Sequence, residues 1–393
     1  MLNTPFSPWP SFTDEEGDVA RRVLMSNRVN YWTGEEGRLF ENEFAAWCGS
    51  THGIAVANGT VAIDLAWLAL GIGPGDEVVV TPRTFLASVS SIILSGATPV
   101  FADVDPDSQN ITPETVARVL TPKTRAILLV HLAGWPCDMD GFRSLADAHD
   151  LFLVEDCAQA HGAFYKGRSV GSLGDIGCWS FCQDKIMTTA GEGGMITTDN
   201  PDWWTRMWSF KDHGKSFDAV YRKAHPAGFR WVHETFGTNW RLTEVQSAIG
   251  LVQLGRMKDW RTTRASNAQA IMDAARQMPA LRVPDIPDSI DHAWYKAYAF
   301  VRPEALKDGW TRDRIIGEIN ADGVPCYSGS CSEVYLEKAF DGTPWRPASR
   351  LPVARNLGET SLMFLVHPTL TPAEIDKTCE TIKSVVSRAQ RPA

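Results

Sequence analysis

Between about residues 50 and 200, short apolar runs alternate with stretches whose apolar positions recur at helical spacing. The runs at 54–57, 78–81 (VVVT), 98–103 (TPVFAD), 126–130 (AILLV), 151–155 (LFLVE), 177–181 and 194–198 predict strands. Helical patterns near 60–70, 84–95, 113–120 and 140–149 lie between them, and turns such as Gly73-Pro74-Gly75-Asp76 punctuate the joins. Strands alternating with helices read as a largely parallel sheet with crossover helices, an α/β fold. Further on, TEVQSAIGLVQL (243–254) places Thr243 and Gln246 as a capping box, with Val245, Ala248, Ile249 and Val252 on one face. That helix is expected to end a large domain. The remainder mixes helical pattern (261–276, 310–320, 372–389) with short strands at 297–302 and 361–365, predicting a smaller α+β domain. The expected division is 1–255 and 256–393, with neither an internal repeat nor a low-complexity segment.

Composition narrows the function classes. The 393 residues are 44% apolar and 22% charged, with 31 glycines and 23 prolines, the profile of an ordinary globular chain. A net charge of −9 with no basic run offers no electrostatic footprint for nucleic acid or an anionic membrane. No stretch is apolar enough to span a bilayer, and MLNTPFSPWPSFTDEEGD lacks the basic end and apolar run of a secretory signal, so a cytoplasmic location is expected. The eight cysteines form no CxxC pair; Cys178/Cys182 and Cys326/Cys331 are too loosely patterned for zinc, so reduced thiols and no metal are expected. The 15 tryptophans, clustered at Trp203-Trp204-Trp208 and Trp231-Trp240, read as packing or subunit contacts.

In an open α/β sheet ligands bind beyond the carboxyl ends of the strands, which singles out four places. Asn58-Gly59-Thr60 opens a helix, and reads either as a phosphate seat or as a simple Thr N-cap. Glu155-Asp156-Cys157-Ala158-Gln159-Ala160-His161-Gly162 follows LFLVE and brings two acids and an amide to the sheet edge; His161 alone reads as a packed histidine. Ser180-Phe181-Cys182-Gln183-Asp184-Lys185 follows another strand, and a lysine there reads as a solvated charge unless it has company. Phe85 follows VVVT and Pro82-Arg83, and reads equally as a core aromatic.

Taken together, in order, these places resemble the DegT/DnrJ/EryC1/StrS sugar aminotransferases, which are pyridoxal-phosphate (PLP) enzymes of fold type I. The resemblance runs from Asn30-Tyr31-Trp32-Thr33-Gly34 through NGT, TPRTF, EDCAQAHGA, GSLGDIGCWSF, DKIMTT and GEGGMITTD to GTNWRLTEVQSAIGLVQL, about two thirds of the chain. It implies Lys185 as the Schiff-base lysine and proton shuttle, Asp156 against the pyridine nitrogen, and Phe85 stacked on the ring. Gln159 would lie near the opposite face or the ring hydroxyl. Gly59, Thr60 and Ser180 would hold the phosphate, completed by Asn239 from a second subunit, which implies a homodimer with a shared active site.

The implied activity is ping-pong transfer of an amino group from L-glutamate to the keto group of a nucleotide-diphosphate-linked deoxy sugar, serving polysaccharide or glycosylated-metabolite synthesis. Some relatives are instead nucleotide-sugar dehydratases, in which a histidine replaces the Schiff-base lysine; Lys185 favours transamination. A non-catalytic PLP-binding regulator, fused to a DNA-binding segment, is the third reading, and no basic helix-turn-helix pattern precedes the α/β unit. Relatives commonly carry GYNYRMTE where this chain has Thr238, Trp240 and Leu242. Many also carry a His-Tyr segment near the substrate, where Cys326-Tyr327-Ser328-Gly329-Ser330-Cys331-Ser332-Glu333-Val334-Tyr335 stands here. His367, Arg355 and His292 are further candidates for the same cleft or for ordinary packing.

Overall fold

Valine, isoleucine and leucine dominate the central runs because both faces of the strands they form are covered, which selects β-branched and aliphatic residues over an alternating pattern. The computed structural model describes residues 4–392. Helices α1 (Asp14–Met25) and α2 (Glu36–Cys48) lead into β1 (His52–Val56), α3 (Gly59–Leu70), β2 (Glu77–Val80), α4 (Ala87–Leu94) and β3 (Thr98–Phe101). There follow α5 (Pro113–Ala117), β4 (Thr124–Val130), α6 (Met139–His149), β5 (Phe152–Asp156), and the short pair β6 (Phe164–Tyr165) and β7 (Arg168–Ser169). The large sheet is completed by β8 (Ile176–Ser180) and β9 (Gly194–Thr198). Its order is β1-β9-β8-β5-β4-β2-β3; β9 runs antiparallel to both neighbours and all other pairings are parallel. The expected α/β class and mostly parallel sheet are therefore what the chain builds.

After α7 (Pro201–Lys211) and α8 (Phe217–Tyr221) the chain enters α9 (Glu244–Arg276). The two helical stretches expected at 243–254 and 261–276 are one helix of 33 residues, and position 255/256 lies inside it. The intervening Gly255-Arg256-Met257-Lys258-Asp259-Trp260 contains no proline, and Met257 is buried in the cluster that holds Phe44, Trp179 and Phe181, so nothing stops propagation. The capping box is as expected, with Thr243 Oγ1 accepting from the Gln246 N–H at 3.3 Å.

Beyond α9 come β10 (Leu281–Arg282), β11 (Ile290–Asp291), β12 (Ala297–Val301), α10 (Arg312–Ala321), β13 (Cys326–Tyr327), α11 (Pro352–Thr360), β14 (Ser361–Phe364) and α12 (Pro372–Ala389). An antiparallel sheet, β10-β12-β14-β13, packs against α9, α10 and α12 around Ile271, Ile315, Leu362 and Val385. The N-terminal strap ties the two parts together. Ser7 Oγ donates to Glu374 Oε2 of α12 at 3.1 Å, while the Trp9 indole N–H donates to the Lys185 carbonyl at 2.8 Å. Among the described residues no helix is long and apolar enough to cross a membrane.

Candidate active site

Parallel strands deliver their carboxyl ends to one edge of the sheet, and inverted β9 delivers its start, Gly191–Gly194, to the same edge. A cavity of about 1190 Å³ opens there, bounded on its other side by residues around the antiparallel sheet and by the N-terminal strap. Gly59, Thr60, Phe85, Asp156, Gln159, Ser180 and Lys185 all line it.

The start of α3 forms one corner. Asn58, not Thr60, is the N-cap: its side chain accepts from the Val61 N–H at 3.0 Å, so the simple Thr-cap reading is replaced and Thr60 sits inside the first turn. A Cβ at position 59 would stand 2.6 Å from Ser180 Cβ, so only glycine lets β8 approach the helix start this closely. The helix dipole and first-turn amides beside the Thr60 and Ser180 hydroxyls make a corner suited to a phosphate.

Asp156 ends β5, is 7% exposed, and accepts from Ser88 Oγ at 2.8 Å and from the Ala158 N–H at 3.1 Å. Thr84 Oγ1 lies 2.8 Å from Ser88 Oγ, so a short relay of hydroxyls fixes the carboxylate in its orientation. Glu155, its neighbour, points to the opposite face, as strand geometry requires. It accepts from the Gly171, Leu173 and Gly174 N–H groups and meets His131 Nε2 at 2.9 Å. Burial pushes the Glu155 carboxyl up, but these bonds outweigh it and hold the group below its ordinary range. His131, Glu155 and Cys157 lie at metal-ligand spacing, yet both imidazole nitrogens are committed, Nδ1 to the Cys137 N–H at 3.0 Å, so the cluster reads as a structural network.

Lys185 lies in the turn after β8 with its side chain 16% exposed, and its Nζ is 3.8 Å from Asp184 Oδ1. Burial pushes the Asp184 carboxyl up; the Lys185 charge and the Tyr295 hydroxyl, which donates to Asp184, bring it below its usual range. Gln159 Oε1 accepts from the Ala133 N–H at 2.8 Å. Phe85 is 72% exposed, an apolar ring presented to the cavity and not a core aromatic. His161 is packed, between Trp179 and Phe181, and burial pushes it down to about 3, so it stays neutral. Of the further candidates, His367 lines the cavity, whereas His292 stacks on Trp294 away from it and exposed Arg355 pairs with Glu359 at 2.9 Å. Asn239 is exposed, in a loop bridged to Asp212, and does not line its own chain's cavity.

Residues 10–383 match the DegT/DnrJ/EryC1/StrS aminotransferase family. The chain belongs to that family. Similar family members span both chains almost fully. An aminotransferase from Psychrobacter cryohalolentis of known structure is 60% identical, with a TM-score of 0.96, covering 98% of this chain and 99% of that one. GDP-perosamine synthase of Caulobacter vibrioides is 36% identical over 90% of this chain and 92% of its own. The dTDP-3-amino-3,4,6-trideoxy-alpha-D-glucose transaminase of Streptomyces venezuelae is 33% identical over 96% and 93%.

The residues present fit the cofactor such an aminotransferase uses. A glycine cradle at a helix start suits a phosphate, a buried oriented carboxylate suits a pyridinium nitrogen, and a lysine at the same edge suits an aldehyde. Sequence reasoning missed several wall residues. Ser88, which orients Asp156, stands one turn after Thr84 at the start of α4, and the signal for it is a hydroxyl at the opening of the helix that follows β2. Trp9, Tyr295 and Lys296 come from remote segments that no local pattern links to the sheet edge. The unusual 326–335 segment does border the cavity, through Tyr327, Gly329, Ser330 and Cys331.

Proposed function

We propose that this aminotransferase uses PLP to move an amino group from L-glutamate to the keto carbon of a nucleotide-diphosphate-linked deoxy sugar, as a homodimer. The observation that carries the reading is the joint placement of Lys185, Asp156 and the Gly59–Ser180 cradle on one cavity, with wall left over for a second ligand. The cavity of about 1190 Å³ exceeds what one drug-sized ligand fills. Two relatives that act on different nucleotide-linked sugars, named for GDP and dTDP products, support the substrate class.

Bound PLP would supply the electron sink for breaking the donor's α-C–H bond. Lys185 Nζ would take that proton and return it at the cofactor's C4′, and on the sugar side run the same transfer in reverse. Asp156, held by Ser88 and the Ala158 N–H, would keep the pyridine nitrogen protonated. Thr60, Ser180 and the start of α3 would bind the phosphate, and the Asn239 loop of the partner subunit would complete that corner. Phe85 and Gln159 would hold the ring in plane. A lysine at 185, where the dehydratases carry histidine, favours transamination.

The test is the absorbance spectrum of the protein with PLP, before and after borohydride, then with glutamate, for wild type and Lys185→Ala. In unreduced wild type a visible band that glutamate bleaches is expected, and borohydride added to a separate sample should abolish that band and leave the cofactor covalently attached in wild type alone. A band indifferent to Lys185 refutes the lysine's role; one that glutamate leaves untouched refutes the donor.

A further inference from the structure

One corner of the cavity carries positive charge that the cofactor reading leaves unused. Lys296 follows Tyr295 immediately before β12 and lines the cavity. Its Nζ lies 4.8 Å from the centroid of the Tyr295 ring, and Lys185 Nζ lies 5.5 Å from the same centroid, so one small molecule can reach both amines. Behind them stands Arg264 of α9, 2% exposed and 5.0 Å from the Trp9 ring centroid. Its Nη1 makes only long contacts to the Trp294 and Tyr295 carbonyls, at 3.4 and 3.5 Å, while Nε and Nη2 find no hydrogen-bond partner among the described residues. A buried guanidinium with idle donors is costly unless an anion comes near it.

The local balance shows what is lacking. Facing Lys296 are Arg264 from α9, Asp184 and Lys185 from the turn after β8, His367 after β14 and its own neighbour Tyr295. Across a small second cavity stand His292 and Asp107, the latter already paired with Arg282. His367, pushed down to about 3 chiefly by burial, is neutral. Asp184 thus stands against Lys185, Lys296 and Arg264, and it is shared with the Tyr295 hydroxyl. Once Lys185 is engaged with cofactor, two cations remain against one carboxylate. One further negative charge completes the corner.

We propose that Lys296, backed by Arg264, is the subsite that receives a carboxylate of a reactant. Lys296 touches it directly; Arg264 is a positioning residue, buried one layer behind and acting through its charge. This rests on the reading that an amino donor and a keto sugar occupy the cavity in turn. The carboxylate belongs either to the amino acid or to the sugar, and the chemistry of recognition is the same. Burial first, and then Arg264, push the Lys296 amine down to about 8, so binding needs a charge that the empty corner only just sustains.

Calorimetric titration of the cofactor-loaded enzyme with glutarate, a dicarboxylate lacking an amine, tests the donor side. Titration with UDP-glucuronate against UDP-glucose tests the sugar side. Wild type is expected to bind at least one carboxylate probe, with Lys296→Gln weakening it by about tenfold or more and Lys296→Arg retaining most of the affinity. Weakening of glutarate assigns the carboxylate to the donor; weakening of UDP-glucuronate but not UDP-glucose assigns it to the sugar. Wild-type affinity for the affected probe should fall as pH rises through about 8, and Arg264→Gln should move that midpoint upward. Equal binding of both carboxylate probes by wild type and Lys296→Gln, or binding of neither by wild type, overturns the proposal. The Lys296→Arg variant controls for folding. Bleaching of the wild-type band by glutamate is scored separately, so an enzyme that transaminates without any dependence on Lys296 loses this subsite and keeps its function.

Discussion

Asp156 shows how a single side chain is prepared before any ligand arrives. Two donors, Ser88 Oγ and the Ala158 N–H, fix its oxygens, so reorientation need not accompany reaction. Asp156→Asn should preserve this geometry while removing the charge, lowering kcat by about 100-fold in half-reaction kinetics. Ser88→Ala should cost less, since the carboxylate keeps one donor. His161, His292 and His367 are each pushed down to about 3, with burial as the first cause. Their folded pKa lies below the unfolded value of about 6.5, so the unfolded chain takes up protons that the folded chain refuses as the pH falls. Stability is therefore full above about 6.5 and declines toward 3. Urea melts at pH 7 and 5 should differ by on the order of 1–2 kcal/mol per histidine, and His161→Phe should flatten the decline. The histidines' neutrality was not legible in the sequence, because it depends on which aromatic rings enclose them.

At the scale of elements, Glu244 links two helices that the sequence keeps 208 residues apart. It is the first residue of α9, yet its carboxylate accepts from the Glu36 N–H at 2.6 Å and the Gly37 N–H at 3.1 Å, capping α2, whose own Glu35 makes no side-chain cap. Glu244→Ala should destabilise the fold by about 2–3 kcal/mol in denaturant titration, more than the ~1 kcal/mol expected of Thr243→Ala in the local cap. The Thr243–Gln246 box, β9 at 194–198 and α12 at 372–389 are written in neighbouring residues and fall where the pattern puts them. The long-range cap is invisible to any window. So is the continuity of α9, because glycine at 250 and 255 suggests weakness locally, whereas burial of Gly250 against the Phe40 ring requires a residue of that size. The candidate site was legible for a related reason: Asp156 and Ser180 end strands, and Gly59 and Lys185 lie within five residues beyond one, and strand ends are what the pattern marks best.

For the whole molecule, the loop between α8 and α9 carries the strongest signal. Phe229, Trp231 and Phe236 are 75%, 85% and 100% exposed, beside the exposed Asn239. Apolar rings displayed together in this way mark an interaction surface, and a second copy of this chain is the expected partner. Co-refolding Lys185→Ala with Asn239→Ala tests the shared site directly. Random pairing should recover about a quarter of wild-type activity if Asn239 serves the opposite cavity, and no recovery is expected if it serves its own. Sedimentation of Trp231→Ser should show weaker self-association than wild type. The N-terminal strap has a practical corollary for anyone handling this protein. Phe6, Ser7, Pro8 and Trp9 form part of the cavity wall, and Ser7 is fastened to the start of α12. An affinity tag fused ahead of them would lead straight into that wall, whereas one placed behind α12 would begin about 27 Å along the helix from the end that Ser7 holds, the length of its 18 residues.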